Sequence, residues 1–85
     1  MFRVEYSKRA EHFLKKAEKI LVKRLLSKIE ELCQKPVPKD AKTLEGVQEL
    51  IYRVRVGDYR ILYEVNYKEQ IIGIIAIDKR SKIYE

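Results

Sequence analysis

The chain has 85 residues, with 19 lysines and arginines against 13 aspartates and glutamates, which gives a formal charge of +6. This length predicts one small domain, 1–85, with a single core, and excludes a multidomain protein. The positive charge favours an anionic partner such as nucleic acid. No apolar run is long enough to span a membrane and no signal peptide is apparent. The single cysteine, Cys33, has no internal disulfide partner, so we expect a protein of the reducing cytoplasm.

The N-terminal part of the chain predicts one strand followed by helical structure. Phe2, Val4 and Tyr6 alternate with charged residues, which is typical of a short strand at a sheet edge. Ser7 is a suitable N-cap for the helical region that follows. Two apolar stripes then have helical spacing: Ala10, Phe13, Leu14 and Ala17, and afterwards Val22, Leu25, Leu26, Ile29, Leu32 and Cys33. The spacing fits either two helices broken near Glu18 or one long helix, and we favour an antiparallel pair because it buries both stripes more economically.

The remainder of the chain predicts three strands. Pro36 and Pro38 end the helical region, and an irregular connection is expected over residues 35–49. Strands are expected at about 49–56, 59–66 and 70–78, and the last of them is almost continuously apolar, as in a strand covered on both faces. This order predicts an α+β fold, β-α-α-β-β-β, with two N-terminal helices on one face of a small, mainly antiparallel sheet.

The most informative segment is 52–63, in which apolar and basic residues alternate on either side of Gly57-Asp58. This pattern predicts a β-hairpin with a two-residue turn. The predicted register pairs Val56 with Tyr59, Arg55 with Arg60 and Arg53 with Leu62. Alternation then places Arg53, Arg55 and Arg60 together on the face away from the helices. Directly opposed like charges destabilise a sheet, so we interpret the arginines as a polyanion site; the alternative is an arginine face that only aids solubility.

A second basic group is predicted close to these arginines. Lys79, Arg80 and Lys82 follow the last strand, and if that strand lies beside the hairpin, its end brings Arg80 to the same groove. Guanidinium groups suit this role because they grip phosphate in a bidentate manner. Tyr84 is placed either to stack on an unpaired base, as aromatic rings do in single-stranded RNA recognition, or to pack on the sheet.

Other chemistry has little support in the sequence. No glycine-rich phosphate loop and no Cys/His cluster with metal-ligand spacing is present, so neither a cofactor nor a metal is expected. His12, the only histidine, is expected at the surface of the first helix, and Cys33 in the core.

These segments resemble the RelE/ParE superfamily of toxins from type II toxin–antitoxin systems. The resemblance depends on Leu44-Glu45-Gly46, on the hairpin segment 52–63, and on Asp78-Lys79-Arg80 with Tyr84, and it extends over essentially the whole chain. For the RelE-like branch it implies a fold similar to that of microbial ribonucleases. It also implies a metal-independent endoribonuclease that cuts mRNA in the ribosomal A site and so inhibits translation.

The resemblance further implies which residues carry the reaction. Matched by position, the catalytic residues are Arg53, Arg55, Arg60, Arg80 and Tyr84, with Lys79 and Lys82 as substrate-binding residues. Arg53 and Arg55 stand where bacterial members often have lysine. Arginine does not give up its proton at physiological pH, so proton removal has to rely on water, an RNA oxygen or the ribosome.

The implied partners are the ribosome, mRNA and an acidic, RelB-like antitoxin that forms a hetero-oligomer with the toxin and holds it inactive. Two other functions remain open at this point. One is a ParE-like inhibitor of DNA gyrase without nuclease activity. The other is an RNA- or ribosome-binding module without catalysis.

Overall fold

The computed structural model describes residues 1–43 and 51–79. In these residues the chain forms β1 (Arg3–Tyr6), α1 (Lys8–Lys16), α2 (Lys19–Gln34), β2 (Lys42–Thr43), β3 (Ile51–Val56), β4 (Tyr59–Asn66) and β5 (Ile71–Lys79). The strands form one sheet in the order β1-β5-β4-β3-β2. Among the strands that the structure describes, only the pair of β1 and β5 is parallel. The predicted α+β fold is confirmed, with the edge position of β1, and the two-residue strand β2 is added within the segment that was expected to be irregular.

The helical region consists of two helices, as expected. Ala17 leaves the helical conformation with a ψ of 156°, and Glu18, with a ψ of 149°, is the N-cap of α2. α1 packs mainly on β5, and α2 packs on β1 and β3. Each helix therefore makes more contact with the sheet than it makes with its neighbouring helix. Leu26 was predicted within the apolar stripe but is 42% exposed. Within the described residues, neither helix is both long and apolar enough to cross a membrane.

The core lies between the helices and the sheet face that carries Ile61 and Tyr63. It is completed by residues that are almost fully buried: Ala10, Leu25, Ile29, Leu32, Cys33, Val54, Ile72, Ile74 and Ile77. Burial raises the pKa of the Cys33 thiol, in agreement with its predicted place in the core. Burial also raises the pKa of Tyr63, whose hydroxyl donates to the Pro36 carbonyl oxygen at 2.7 Å. This bond ties the segment after α2 to the centre of the sheet.

Ser7 connects the start of α1 with β5. Its hydroxyl accepts a hydrogen bond from the Ala10 backbone N–H at 3.0 Å and donates one to the Ile75 carbonyl oxygen at 2.7 Å. Ser7→Ala removes both bonds, so we expect the free energy of unfolding to fall by about 1–2 kcal/mol. Urea denaturation measures this change. Ser27→Ala, at an exposed position of α2, is the matched control and should change stability by less than about 0.5 kcal/mol; equal losses in the two variants would contradict the assigned role of Ser7.

Candidate nucleic-acid interface

The hairpin of β3 and β4 has the predicted register. Arg55 lies opposite Arg60, Arg53 opposite Leu62, and Val56 opposite Tyr59. Gly57 has a φ of +59°, whereas the φ of Asp58 is not positive, which is the pattern of a type II′ turn with glycine at its first central position. The turn holds the two strands in the register that places the three arginines on one face.

Strand pairing extends this arginine face into two rows across the sheet. In the first row, Lys42 of β2 lies opposite Arg53, which is followed by Leu62 and Ala76. In the second row, Arg55 lies opposite Arg60, and Arg60 lies opposite Asp78 of β5. Directly opposed residues have their side chains on the same face of a sheet. Lys42 and Asp78 therefore join the three predicted arginines on this face, although neither is a predicted site residue.

The arginines differ in how much of each is exposed. Arg55 is exposed and Arg53 is half-buried, whereas Arg60 is only 1% exposed. Arg60 belongs to β4, which has a neighbouring strand on each side over this region. The expected open arginine face is thus observed at Arg55, while Arg60 forms a covered part of the same face.

Arg53 and Arg55 line a cavity of about 280 Å³ together with Asp40 and Lys42. Lys28 donates a hydrogen bond to Oδ2 of Asp40 at 2.8 Å, and this bond holds the pKa of Asp40 below its ordinary value. Asp40 is therefore ionised at neutral pH and offsets part of the positive charge. The same lowered pKa makes it a weak proton acceptor.

The end of β5 lies beside the hairpin, as predicted, but its charged residues are arranged differently. Lys79 is opposite Tyr59 and Asp78 is opposite Arg60, so alternation puts Asp78, rather than Lys79, on the arginine face. Oδ2 of Asp78 lies 3.5 Å from Nη2 of Arg9 on α1, and its Oδ1 accepts a hydrogen bond from the Lys79 backbone N–H at 2.7 Å. The register therefore does not bring Lys79 together with the arginines.

The remaining predicted residues lie either near α1 or outside the described residues. His12 is exposed on α1, as expected, and lines a separate cavity of about 440 Å³ with Phe13 and Tyr59. Phe13 and Tyr59 form an edge-to-face ring pair with centroids 5.7 Å apart, which confirms that Tyr59 faces the helices. The remaining predicted site residues, Arg80, Lys82 and Tyr84, lie outside the described residues, as does the segment Leu44-Glu45-Gly46.

Comparison with protein families and named proteins gives consistent matches over nearly the whole chain. Residues 4–84 match the family described as the ParE toxin of the type II toxin–antitoxin system, parDE. A Methanocaldococcus jannaschii protein, provisionally named toxin RelE1, is 38% identical over 87 residues, which cover 99% of this chain and 96% of that protein.

Solved structures with a similar fold come from archaea and bacteria. A chain of the archaeal RelE–RelB complex from Pyrococcus horikoshii OT3 has a TM-score of 0.81 and 34% identity, with 95% of this chain and 97% of that chain covered. The isolated RelE toxin of E. coli also has a TM-score of 0.81, at 23% identity, with 99% of this chain and 92% of that chain covered. At this lower identity the second likeness concerns the fold alone.

Proposed function

Since this chain belongs to the RelE/ParE family of toxins from type II toxin–antitoxin systems, we propose that it is an endoribonuclease that cuts mRNA in the ribosomal A site and thereby stops translation in the cytoplasm. The observation that carries this proposal is the directly opposed pair of Arg55 and Arg60. Directly opposed like charges are unfavourable in a sheet. We infer that an RNA phosphate bound at this pair offsets that cost, with Arg55 exposed to the RNA and Arg60 contributing its charge from a covered position on the same face.

In the proposed reaction, the 2′-oxygen of a ribose forms a bond to the adjacent phosphorus, and the bond from phosphorus to the 5′-oxygen of the next nucleotide breaks. The leaving 5′-oxygen takes up a proton from water, so the products are a 2′,3′-cyclic phosphate and a free 5′-hydroxyl. The transition state carries extra negative charge on the phosphoryl oxygens. Preorganised donors that stabilise such charge commonly make the largest contribution to catalysis.

We assign the roles as follows. Arg60 and Arg80 are assigned to the charge on the phosphoryl oxygens, and Arg80 is also assigned to the leaving oxygen. Arg53 and Arg55 hold the RNA backbone on the side of the attacking 2′-hydroxyl. Tyr84 stacks on the base and so keeps the 2′-oxygen in line with the bond that breaks, which is an orientation effect.

No arginine in this site accepts the proton of the 2′-hydroxyl, because the guanidinium group stays protonated at physiological pH. Asp40, with its lowered pKa, is a weak acceptor. The proton therefore leaves to water, to an RNA oxygen or to a group of the ribosome. We therefore propose that the ribosome completes the catalytic machinery.

This arrangement predicts a strong dependence of cleavage on the ribosome. The purified protein is expected to cut a defined mRNA within translated codons at least about 100-fold faster on ribosomes than in free solution, because general acid–base catalysis typically contributes a factor of this size or more. Primer extension on both RNA samples measures the two rates. Efficient turnover of free mRNA would refute the ribosome dependence, and intact mRNA on ribosomes that bind the protein would refute the nuclease.

Assays on the same purified protein distinguish two other functions from the nuclease. An inhibitor of DNA gyrase is favoured by one observation, since the matching family is described by its ParE member. Inhibition in a gyrase supercoiling assay, with mRNA left intact, would establish it. A binding module without chemistry would bind ribosomes and leave both mRNA and gyrase unaffected.

We also propose a RelB-like antitoxin as the partner that keeps this toxin inactive. The similar P. horikoshii chain was crystallised in a RelE–RelB complex. The exposed cations of the arginine face suit an acidic antitoxin, so binding of the antitoxin there would prevent access of RNA.

A further inference from the structure

A second group of cations lies outside the site that the sequence analysis identified. Residues of α2 face the turn end of β3 across a cleft of about 470 Å³, here called the α2 cleft. Its described lining residues are Lys23, Arg24, Ser27, Lys28, Glu31, Arg55, Val56 and Gly57. The α2 members recur at spacings of three and four residues, so they lie along one face of the helix.

The charges of the α2 cleft are not balanced. Lys28 is paired with Glu31 at 3.4 Å and with Asp40 at 2.8 Å. Within residues 1–43 and 51–79, by contrast, Lys23, Arg24 and Arg55 have no carboxylate within ion-pair distance. Three cations beside one cleft without neutralising carboxylates repel one another, and an anion bound between them removes that repulsion.

The guanidinium group of Arg24 lies against the hairpin turn. A Cβ atom built on Gly57 would lie 2.9 Å from Nη2 and 3.3 Å from Nη1 of Arg24, so the guanidinium group rests directly on the glycine. A glycine at this point of the turn leaves the space that the group occupies. The guanidinium of Arg24 thus lies near the end of the strand that carries Arg55.

Arg55 connects the α2 cleft with the arginine face. It lines both this cleft and the cavity that contains Asp40, Lys42 and Arg53. β2 pairs only with Tyr52 and Arg53 of β3, so no described strand covers the edge of β3 at Arg55. The cations therefore form a continuous track around this edge of the sheet, from Lys42 through Arg53 and Arg55 to Arg24 and Lys23.

We propose that the α2 cleft binds the phosphodiester backbone of RNA and continues the RNA path beyond the arginine face. An acidic peptide is a poorer occupant, because protein partners are usually anchored by buried apolar or aromatic side chains. Val56 is the only apolar residue among the described lining residues of the cleft. Arginine and lysine side chains hold phosphate without such anchors. The assignment of this RNA as mRNA or ribosomal RNA rests on the proposed function. The proposal that the cleft binds a phosphodiester backbone does not.

The double variant Lys23→Ala/Arg24→Ala tests this proposal. Both positions are exposed on α2, and alanine is favourable in helices, so the fold should be retained; thermal unfolding checks this. We expect binding of a short labelled single-stranded RNA to weaken about tenfold at moderate salt, and the slope of log affinity against log salt to decrease by about 1–2. The matched control is Lys8→Ala/Lys15→Ala, which removes the same charge from exposed positions of α1 outside the described cavities.

Three further measurements make the result specific. Binding of both variants to ribosomes with and without a bound mRNA distinguishes the source of the phosphate. A loss only on mRNA-containing ribosomes indicates mRNA, and an equal loss on both indicates ribosomal RNA. Poly-glutamate serves as the acidic-peptide probe. Equal effects of the two double variants on RNA binding would overturn the proposal. So would an α2 variant that loses binding of poly-glutamate but keeps its binding of RNA.

This test is independent of the nuclease assay. If the wild-type protein cuts no mRNA but the α2 variant still loses RNA affinity relative to its control, the proposed function fails and the α2 cleft is retained as an RNA site. If the wild-type protein cuts mRNA on ribosomes while the two double variants bind RNA equally well, the proposal of an RNA site in the α2 cleft fails and the proposed function is retained.

Discussion

Arg60→Lys is expected to lower the rate of mRNA cleavage on ribosomes by about 100-fold, because it replaces the planar guanidinium fork that we assign to the developing phosphoryl charge with the compact ammonium group of lysine. Arg60 is 1% exposed, and lysine retains the positive charge and most of the aliphatic stem, so this change disturbs the covered site less than alanine would. Single-turnover cleavage of a defined mRNA on ribosomes measures the effect on the chemical step.

The control for this prediction is Arg3→Lys, the same substitution on β1 at the opposite edge of the sheet from β2. Arg3 is exposed, and the variant is expected to cleave at a rate within about twofold of the wild type, as for a surface change away from the site. Thermal unfolding of Arg60→Lys shows whether the fold persists. A folded Arg60→Lys variant with the activity of the Arg3→Lys control would remove Arg60 from the catalytic assignment.

Ile61→Ala is expected to have the largest effect on stability, with a loss of about 2–5 kcal/mol in the free energy of unfolding. Ile61 is fully buried beneath the helices in β4, so the substitution leaves a cavity in the core. For a domain of this size, the midpoint of thermal unfolding should fall by at least about 8 °C. Calorimetry or circular dichroism measures the shift.

Leu62→Ala, one residue further along the same strand, provides the matched control. Its side chain belongs to the arginine face, opposite Arg53, and it is only half-buried. We expect it to lose less than about 1.5 kcal/mol, because a smaller apolar area is withdrawn from water there. If Leu62→Ala lowered the free energy of unfolding as much as Ile61→Ala does, the assignment of Ile61 to the buried face and Leu62 to the arginine face would be wrong.

The hairpin could be predicted from sequence because its signals are local. Gly57 and Asp58 mark the turn, and alternation on both sides then fixes every pairing from Arg53–Leu62 to Val56–Tyr59. Ser7 was identified as an N-cap for the same reason, since its cap partner is only three residues away. In such segments, residue type and spacing contain the information that decides the structure.

Other parts of the site depend on contacts between distant segments. Asp40 lies in the cationic cavity and is held by Lys28 of α2, and spacing alone does not reveal that pair. Lys42 joins the arginine face through a strand of two residues, which is too short for any visible alternation. The burial of Arg60 likewise depends on what surrounds β4, and the side of the sheet to which Asp78 and Lys79 belong depends on the register of β5.

The parallel pairing of β1 with β5 has a consequence for the synthesis of this toxin. Arg3 pairs with Ile71, and the hydroxyl of Ser7 reaches the carbonyl of a residue 68 positions later. Contacts between such distant segments form late, because the intervening chain must first be brought into place. A growing polypeptide on the ribosome therefore has no partner for its first strand until residues 71–79 have emerged. Vectorial translation thus delays completion of the sheet until residues 71–79 are available to pair with β1.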